Sequence, residues 1–202
     1  ISSEAIQNVS VLIDGQPADV SNNPAQTGWT ASYQMQVGDV EGNIPIQISF
    51  SDLTGNNGMN VTATTDGSKV KYDETIPALS TVSIASDNVI PSIAKVGNII
   101  TLSFIADEGI RNVTALIGTR TSSLSNSPDG KTWTASFTMQ SNDVEGELSI
   151  NISFRDSAGN SGITVDATTN GSSVVFDRSK PTLTAVSIAS DNSNTALAKP
   201  GD

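Results

Sequence analysis

Apolar and polar residues alternate along most of this 202-residue chain, the period-two signature of half-buried β-strands. In its middle, Val82 and Ile84 alternate with Ser83 and Ala85, and Ile100, Leu102 and Phe104 mark a second strand. Val113, Ala115 and Ile117 mark a third. The longest stripe is Trp133, Ala135, Phe137 and Met139, followed by Leu148, Ile150, Ile152 and Phe154. Ile163-Val165-Ala167 and Val174-Phe176 complete the set, with a short extra strand expected near Arg120–Leu124. No segment carries a helical period.

The pattern occurs twice. Asn8-Val9 returns as Asn112-Val113, and Trp29-Thr30-Ala31-Ser32 as Trp133-Thr134-Ala135-Ser136. Asp39-Val40-Glu41-Gly42 returns as Asp143-Val144-Glu145-Gly146, and Phe50, Asp52, Gly55 and Asn56 as Phe154, Asp156, Gly159 and Asn160. Pro77, Leu79 and Val82 through Asn88 return as Pro181, Leu183 and Val186 through Asn192. Every pair is 104 residues apart, and about half of the overlapping positions are identical. That period is too long for a solenoid unit and suits one independently folding domain per repeat.

Linker character is confined to Asp73-Glu74-Thr75-Ile76-Pro77 and its copy Asp177-Arg178-Ser179-Lys180-Pro181. Proline fixes its own φ and extends the residue before it, which makes a short, stiff joint. Counted from linker to linker, residues 76–179 are one complete unit. Residues 1–75 are then a unit lacking its first strand and most of its second, and 180–202 are the opening of a third. Six positions, equivalent to 99–104, are missing between the end of the chain and its start, as in a window on a longer array. Completion of the half-units by strand donation from an identical chain is the alternative, but the missing segment is the apolar heart of a strand, so continuity is preferred.

Seven short strands in about a hundred residues, with turn signals between them, predict an all-β fold of tandem immunoglobulin-like β-sandwiches. There is no cysteine, so apolar packing must replace the disulfide of antibody domains, with Trp133 and Trp29 as large core anchors. The run Phe154-Arg155-Asp156-Ser157-Ala158-Gly159-Asn160, the Asp-x-x-x-Pro linker and the Val-Ser-Ile-Ala-Ser-Asp-Asn strand resemble bacterial Ig-like repeats. Such repeats build very large adhesins and other surface proteins, including stalks stiffened by calcium. The resemblance covers the whole chain and implies an extracellular, cell-surface location.

Composition narrows the chemistry. The net charge is −11 and histidine is absent, which argues against nucleic-acid binding and removes the Ser–His and Cys–His pairings and the commonest zinc ligands. No apolar run is long enough for a membrane span. Carboxylate pairs such as Asp107-Glu108 recur in loops without an aromatic sugar platform, so no enzyme is expected. Sequons at Asn8, Asn60, Asn112, Asn151 and Asn170 are expected by chance in so polar a chain. Lys95 and Lys199 read as solvated loop lysines, not as partners of a covalent cross-link.

If strands alternate up and down, Asp39, Glu41 and Asp73 collect at the trailing pole of one unit, as do Asp143, Glu145 and Asp177 in the next. Asp107, Glu108 and Asp156 collect at the leading pole. At the joint around Ile76, Asp39, Glu41 and Asp73 should therefore face Asp107, Glu108 and Asp156, a set of oxygens suited to Ca²⁺. The competing reading makes Asp52 and Asp156 the heads of Asp-x-x-Gly-Asn turns, accepting backbone N–H groups, and Asp39-Val40-Glu41-Gly42 a plain polar turn.

The functional expectation is a stalk or spacer that projects or builds an adhesive fibre. Its partners would be neighbouring repeats of the same or identical chains, and a cell-surface ligand would be reached through domains outside this segment. The alternatives are repeats that themselves bind glycan or protein as an adhesin, or an accessory module of a secreted polysaccharide-active enzyme. A ligand-binding repeat calls for an exposed apolar patch in each unit. The matched aromatics Tyr33 and Phe137, and Tyr72 and Phe176, fall instead on faces that read as buried.

Overall fold

The computed structural model describes residues 1–202 and is all β, without a helix. Residues 1–75 hold β1 (Ile6–Ile13), β2 (Gln16–Pro17), β3 (Asp19–Asn22), β4 (Trp29–Ser32), β5 (Gly42–Asn43), β6 (Ile46–Asp52) and β7 (Lys71–Tyr72). The middle stretch holds β8 (Leu79–Ser86), β9 (Ile93–Ala94), β10 (Ile99–Ala106), β11 (Arg111–Ile117), β12 (Arg120–Thr121) and β13 (Ser123–Asn126). It continues with β14 (Thr132–Thr138), β15 (Gly146–Glu147), β16 (Ile150–Arg155) and β17 (Val175–Phe176). Residues 180–202 contain no strand.

In the middle stretch β10 lies between β8 and β14, antiparallel to both, and β13 extends the sheet beyond β14. A second sheet has the order β12-β11-β16, and a third the order β15-β17-β9, with β17 parallel to β9. The alternation read from the sequence places Ile100, Leu102 and Phe104 of β10, Ala115 and Ile117 of β11, Ala135 of β14 and Ile152 and Phe154 of β16 in one core. Trp133 packs on this core half-buried, its ring stacked on Phe104 at 6.4 Å between centroids, and its Nε1 donates to the Gly130 carbonyl at 2.8 Å. The indole N–H of a partly buried tryptophan usually finds such an acceptor.

The repeated Asn-Val pair has a backbone reason. Asn8 and Asn112 have φ of 52° and 50° where the β1–β6 and β11–β16 registers slip. Asparagine tolerates this left-handed bulge better than a branched residue does.

Ile163–Ala167, expected as a strand, meets β16 in one isolated bridge, Ile152 to Val165, and a second bridge, Arg155 to Ser161, lies just before it. Three residues back along β16 are matched by four onward along the partner, so one extra residue breaks the ladder. At the same place Gly162 lies beneath the Phe154 ring, where a Cβ would fall 2.2 Å from Cε2. Gly58 under Phe50 repeats the arrangement.

The three stretches show how much one strand matters. Residues 1–75 have no partner for β4 on the side where β14 meets β10, and β4 pairs only with β3. Ala135 is fully buried while its counterpart Ala31 is exposed, and Val174 at 0 % exposure contrasts with Val70 at 67 %. Val82 and Ile84 of β8 are buried against β10, whereas the same residues recurring as Val186 and Ile188 are 79 % and 98 % exposed and form no strand.

Gly162→Ala is expected to destabilise the middle stretch by about 1–3 kcal/mol, the usual cost of forcing a methyl group into filled space. The change reads as a lower urea midpoint with an unchanged slope.

Candidate functional site

The two repeats meet along Asp73–Ala78, and both hold that segment. From behind, Glu41 turns back onto it: its Oε1 accepts from the Glu74 and Thr75 amides at 2.8 and 2.7 Å and from the Thr75 hydroxyl at 2.7 Å. Glu74 is itself fixed, because its Oε2 accepts from the Tyr72 hydroxyl at 3.0 Å and from the Gly38 amide at 3.1 Å. From ahead, the Ala78 amide donates to Asp107 Oδ1 and the Asp107 amide donates to the Ala78 carbonyl, both at 3.0 Å. Asn160 Nδ2 donates to the carbonyls of Asp73 and Thr75 at 2.9 and 3.3 Å, and Pro77 is buried between these grips.

Asp156 heads the turn that presents Asn160. Its Oδ1 accepts from the Gly159 and Asn160 amides at 2.6 and 2.9 Å, and its Oδ2 accepts from Asn160 Nδ2 at 2.7 Å. The turn reading of Asp156 is therefore realised. Its homologue Asp52 does the same for Thr54 and Asn56, and the Asn56 and Thr54 hydrogen bonds lower its pKa to about 2. Asp156 is fully buried. Burial pushes its carboxyl up, but the hydrogen bonds from Asn160 and Gly159 outweigh that and hold it below the ordinary aspartate value.

Beside this turn one oxygen each from Asp73, Glu108 and Asp156 lie within 4.8 Å of one another. These carboxylates come from the linker, the loop after β10 and the turn after β16. Glu108 is held by no hydrogen bond; burial and the charges of Asp73, Asp156 and Asp107 push its pKa above the ordinary glutamate value. The positive charge at hand is Lys71, whose Nζ lies 3.3 Å from Asp73 Oδ2. Three converging carboxylates with one lysine leave net negative potential, which a divalent cation would neutralise.

The remaining candidates are used otherwise. Asp39 closes its own turn, accepting from the Gln36 amide at 2.6 Å and the Tyr33 hydroxyl at 3.3 Å. Asp143 does so in the next repeat, with Gln140 at 2.7 Å and Arg120 at 3.0 Å. Glu145 copies Glu41 as a clamp, accepting from the Arg178 amide at 2.8 Å and the Ser179 hydroxyl at 2.9 Å, and Asp177 accepts from the Ser179 amide at 2.7 Å. Asp107 is the linker grip described above. Of the carboxylates expected to face one another at the joint, Glu41 and Asp107 hold the linker, Asp39 closes its own turn, and Asp73, Glu108 and Asp156 stand close enough together to share an ion. Asn160 and Glu74 were not among the expected site residues. Asn160 recurs as Asn56, yet its hold on Asp73 depends on a linker 87 residues earlier, a relation that no local pattern carries.

The favourable term from protonated Glu108, fully present below the ordinary glutamate value, is lost as the pH rises through its raised value. A permanently neutral side chain keeps it. Glu108→Gln is therefore expected to raise the melting temperature at neutral pH in chelator-treated buffer and to leave it unchanged in acid, as read by thermal melts across pH.

No protein-family model matches the chain, and no curated protein matches it either.

Proposed function

We propose that the chain is a run of structural repeats from an extracellular bacterial surface protein, a stalk or spacer in which Ca²⁺ joins one immunoglobulin-like sandwich to the next. The observation that carries the reading is the joint. A six-residue segment with a buried proline is gripped by Glu41 from one repeat and by Asp107 and Asn160 from the other. A linker meant to swing would leave its amides and carbonyls to water. Here the Glu74, Thr75 and Ala78 amides and the Asp73, Thr75 and Ala78 carbonyls are bound, from both sides, which favours a fixed angle between units.

The calcium part rests on Asp73, Glu108 and Asp156. Ca²⁺ takes six to eight oxygens at about 2.3–2.6 Å, so three carboxylates would supply part of its shell and waters or carbonyls the rest. Lys71 would give up its contact with Asp73 on binding. The exchange replaces a single exposed ion pair, worth little, with coordination that spans linker and domain. A bound ion would remove the repulsion around Glu108 and tie the trailing linker to the leading pole of the next repeat. The function is mechanical, and the acidic groups serve the joint and not a reaction.

Calcium is expected to raise the melting temperature of the 202-residue chain and to narrow the distribution of its maximum dimension in small-angle scattering. Ca²⁺ at a hundredfold excess over its dissociation constant adds about 2.7 kcal/mol. Glu108→Gln should abolish both responses while the chain stays folded. Equal behaviour of the parent and the variant with calcium would remove the ion from the proposal, and a broad distribution under all conditions would remove the stiff joint as well.

A further inference from the structure

The chain has two Asn-Gly pairs, Asn57–Gly58 and Asn170–Gly171. Asparagine before glycine is chemically labile, because no Cβ on the following residue shields its backbone nitrogen from the asparagine side chain. The fold treats the two pairs differently. The Gly58 nitrogen donates to the Phe50 carbonyl at 2.9 Å, and Gly58 is wedged beneath the Phe50 ring. Attack by that nitrogen would require both contacts to be lost.

Asn170 and Gly171 are exposed, and the Gly171 nitrogen is engaged in no hydrogen bond. The Ser172 amide donates to Asn170 Oδ1 at 3.0 Å. That bond polarises the side-chain amide and is placed where negative charge develops when its carbon is attacked. The sister repeat holds Asp66–Gly67 in the same turn: the Ser68 amide donates to Asp66 Oδ1 at 3.0 Å, and the φ values of Gly67 and Gly171 are 74° and 71°. A carboxylate is therefore already accommodated in this geometry.

We propose that Asn170 is a site of spontaneous deamidation, an ageing reaction that the turn promotes and that the Asn57–Gly58 environment suppresses. The Gly171 nitrogen gives its proton to solvent base and attacks Asn170 Cγ, and the oxyanion forms on Oδ1 facing the Ser172 N–H. The bond from Cγ to Nδ2 breaks and the nitrogen leaves as ammonia, which closes a succinimide. Water then opens the ring on either side. Cleavage between Cγ and the Gly171 nitrogen gives an ordinary aspartyl residue; cleavage of the main-chain bond leaves an isoaspartyl link. Water is consumed, ammonia is released and the chain gains one negative charge, without oxidation or reduction.

The two products differ in effect. The turn fastens the free edge of β8: the Ile84 amide donates to Ser172 Oγ and the Val82 amide to Thr169 Oγ1, both at 2.9 Å. An aspartyl product keeps the Asp66-like turn and these bonds. An isoaspartyl product adds a main-chain carbon between Thr169 and Ser172, so the two hydroxyls can no longer both reach their strand.

The test is incubation of the full chain in mildly alkaline buffer, followed by peptide mapping by mass spectrometry and enzymatic methylation of isoaspartate. The peptide with Asn170 should gain the mass of an amide-to-acid exchange and become methylatable. The peptide with Asn57 should react at least about tenfold more slowly. In urea the two should react at similar rates. An unchanged Asn170 peptide, or equal rates in the folded chain, overturns the proposal. Asn170→Asp should melt at the parent temperature, whereas aged protein rich in isoaspartate should melt lower; a destabilised Asn170→Asp overturns the assignment of the aspartyl product to the native turn.

Discussion

The pairing of β10 with two neighbours at once is the interaction on which the middle repeat depends. It supplies the backbone partner for β8 and for β14, and its inward side chains Ile100, Leu102 and Phe104 are all but inaccessible to water. Each such side chain contributes about 1.5–3 kcal/mol on burial. Where β10 is present, seventeen side chains form one core. Beside β4, where no such strand lies, Ile6 and Val11 are still buried but Ala31 is exposed and Ile13, Ile48 and Phe50 are only partly covered. Next to Val186 and Ile188, a sequence identical to part of β8 is not even a strand. Strand propensity is thus a statement about the available neighbour more than about the residues themselves.

This dependence explains which parts of the structure could be read from sequence. The alternation in β8, β10, β11, β14 and β16 names the inward residues correctly, because burial on one face of a sheet imposes a period of two. Ile163–Ala167 alternates as well, yet one extra residue in the register leaves it bridged and not paired. There the alternation does not mark burial either, since Ile163 is 74 % exposed, and it does not report whether the backbone is free to hydrogen-bond in register.

The joint divides in the same manner. Strand parity puts Asp39, Glu41 and Asp73 opposite Asp107, Glu108 and Asp156; Glu41, Asp107 and Asp73 lie at the linker with Glu108 and Asp156 beside it, whereas Asp39 closes its own turn. Their separate tasks were not legible. Glu41 and Asp107 differ from Glu108 only in whether a backbone amide lies within reach, which depends on the path of the linker and not on the residue type. The supply of N–H donors separates the clamps Glu41 and Asp107 from Glu108, which has none, while Asp156 both caps its own turn and stands in the candidate ion site.

The parallel pairing of β9 with β17 has a mechanical consequence. β9 follows β8 near the start of the middle repeat and β17 is its last strand, and the bonds from the Val175 amide to Ser92 and from the Asp177 amide to Ala94 join the two. Tension applied at the two ends slides such strands along each other, so the bonds are loaded together in shear instead of opening one after another. A pull entering through the gripped linker loads β8 and its ladder to β10 first, and the patch of hydrogen bonds between β9 and β17 behind it must then fail as a group.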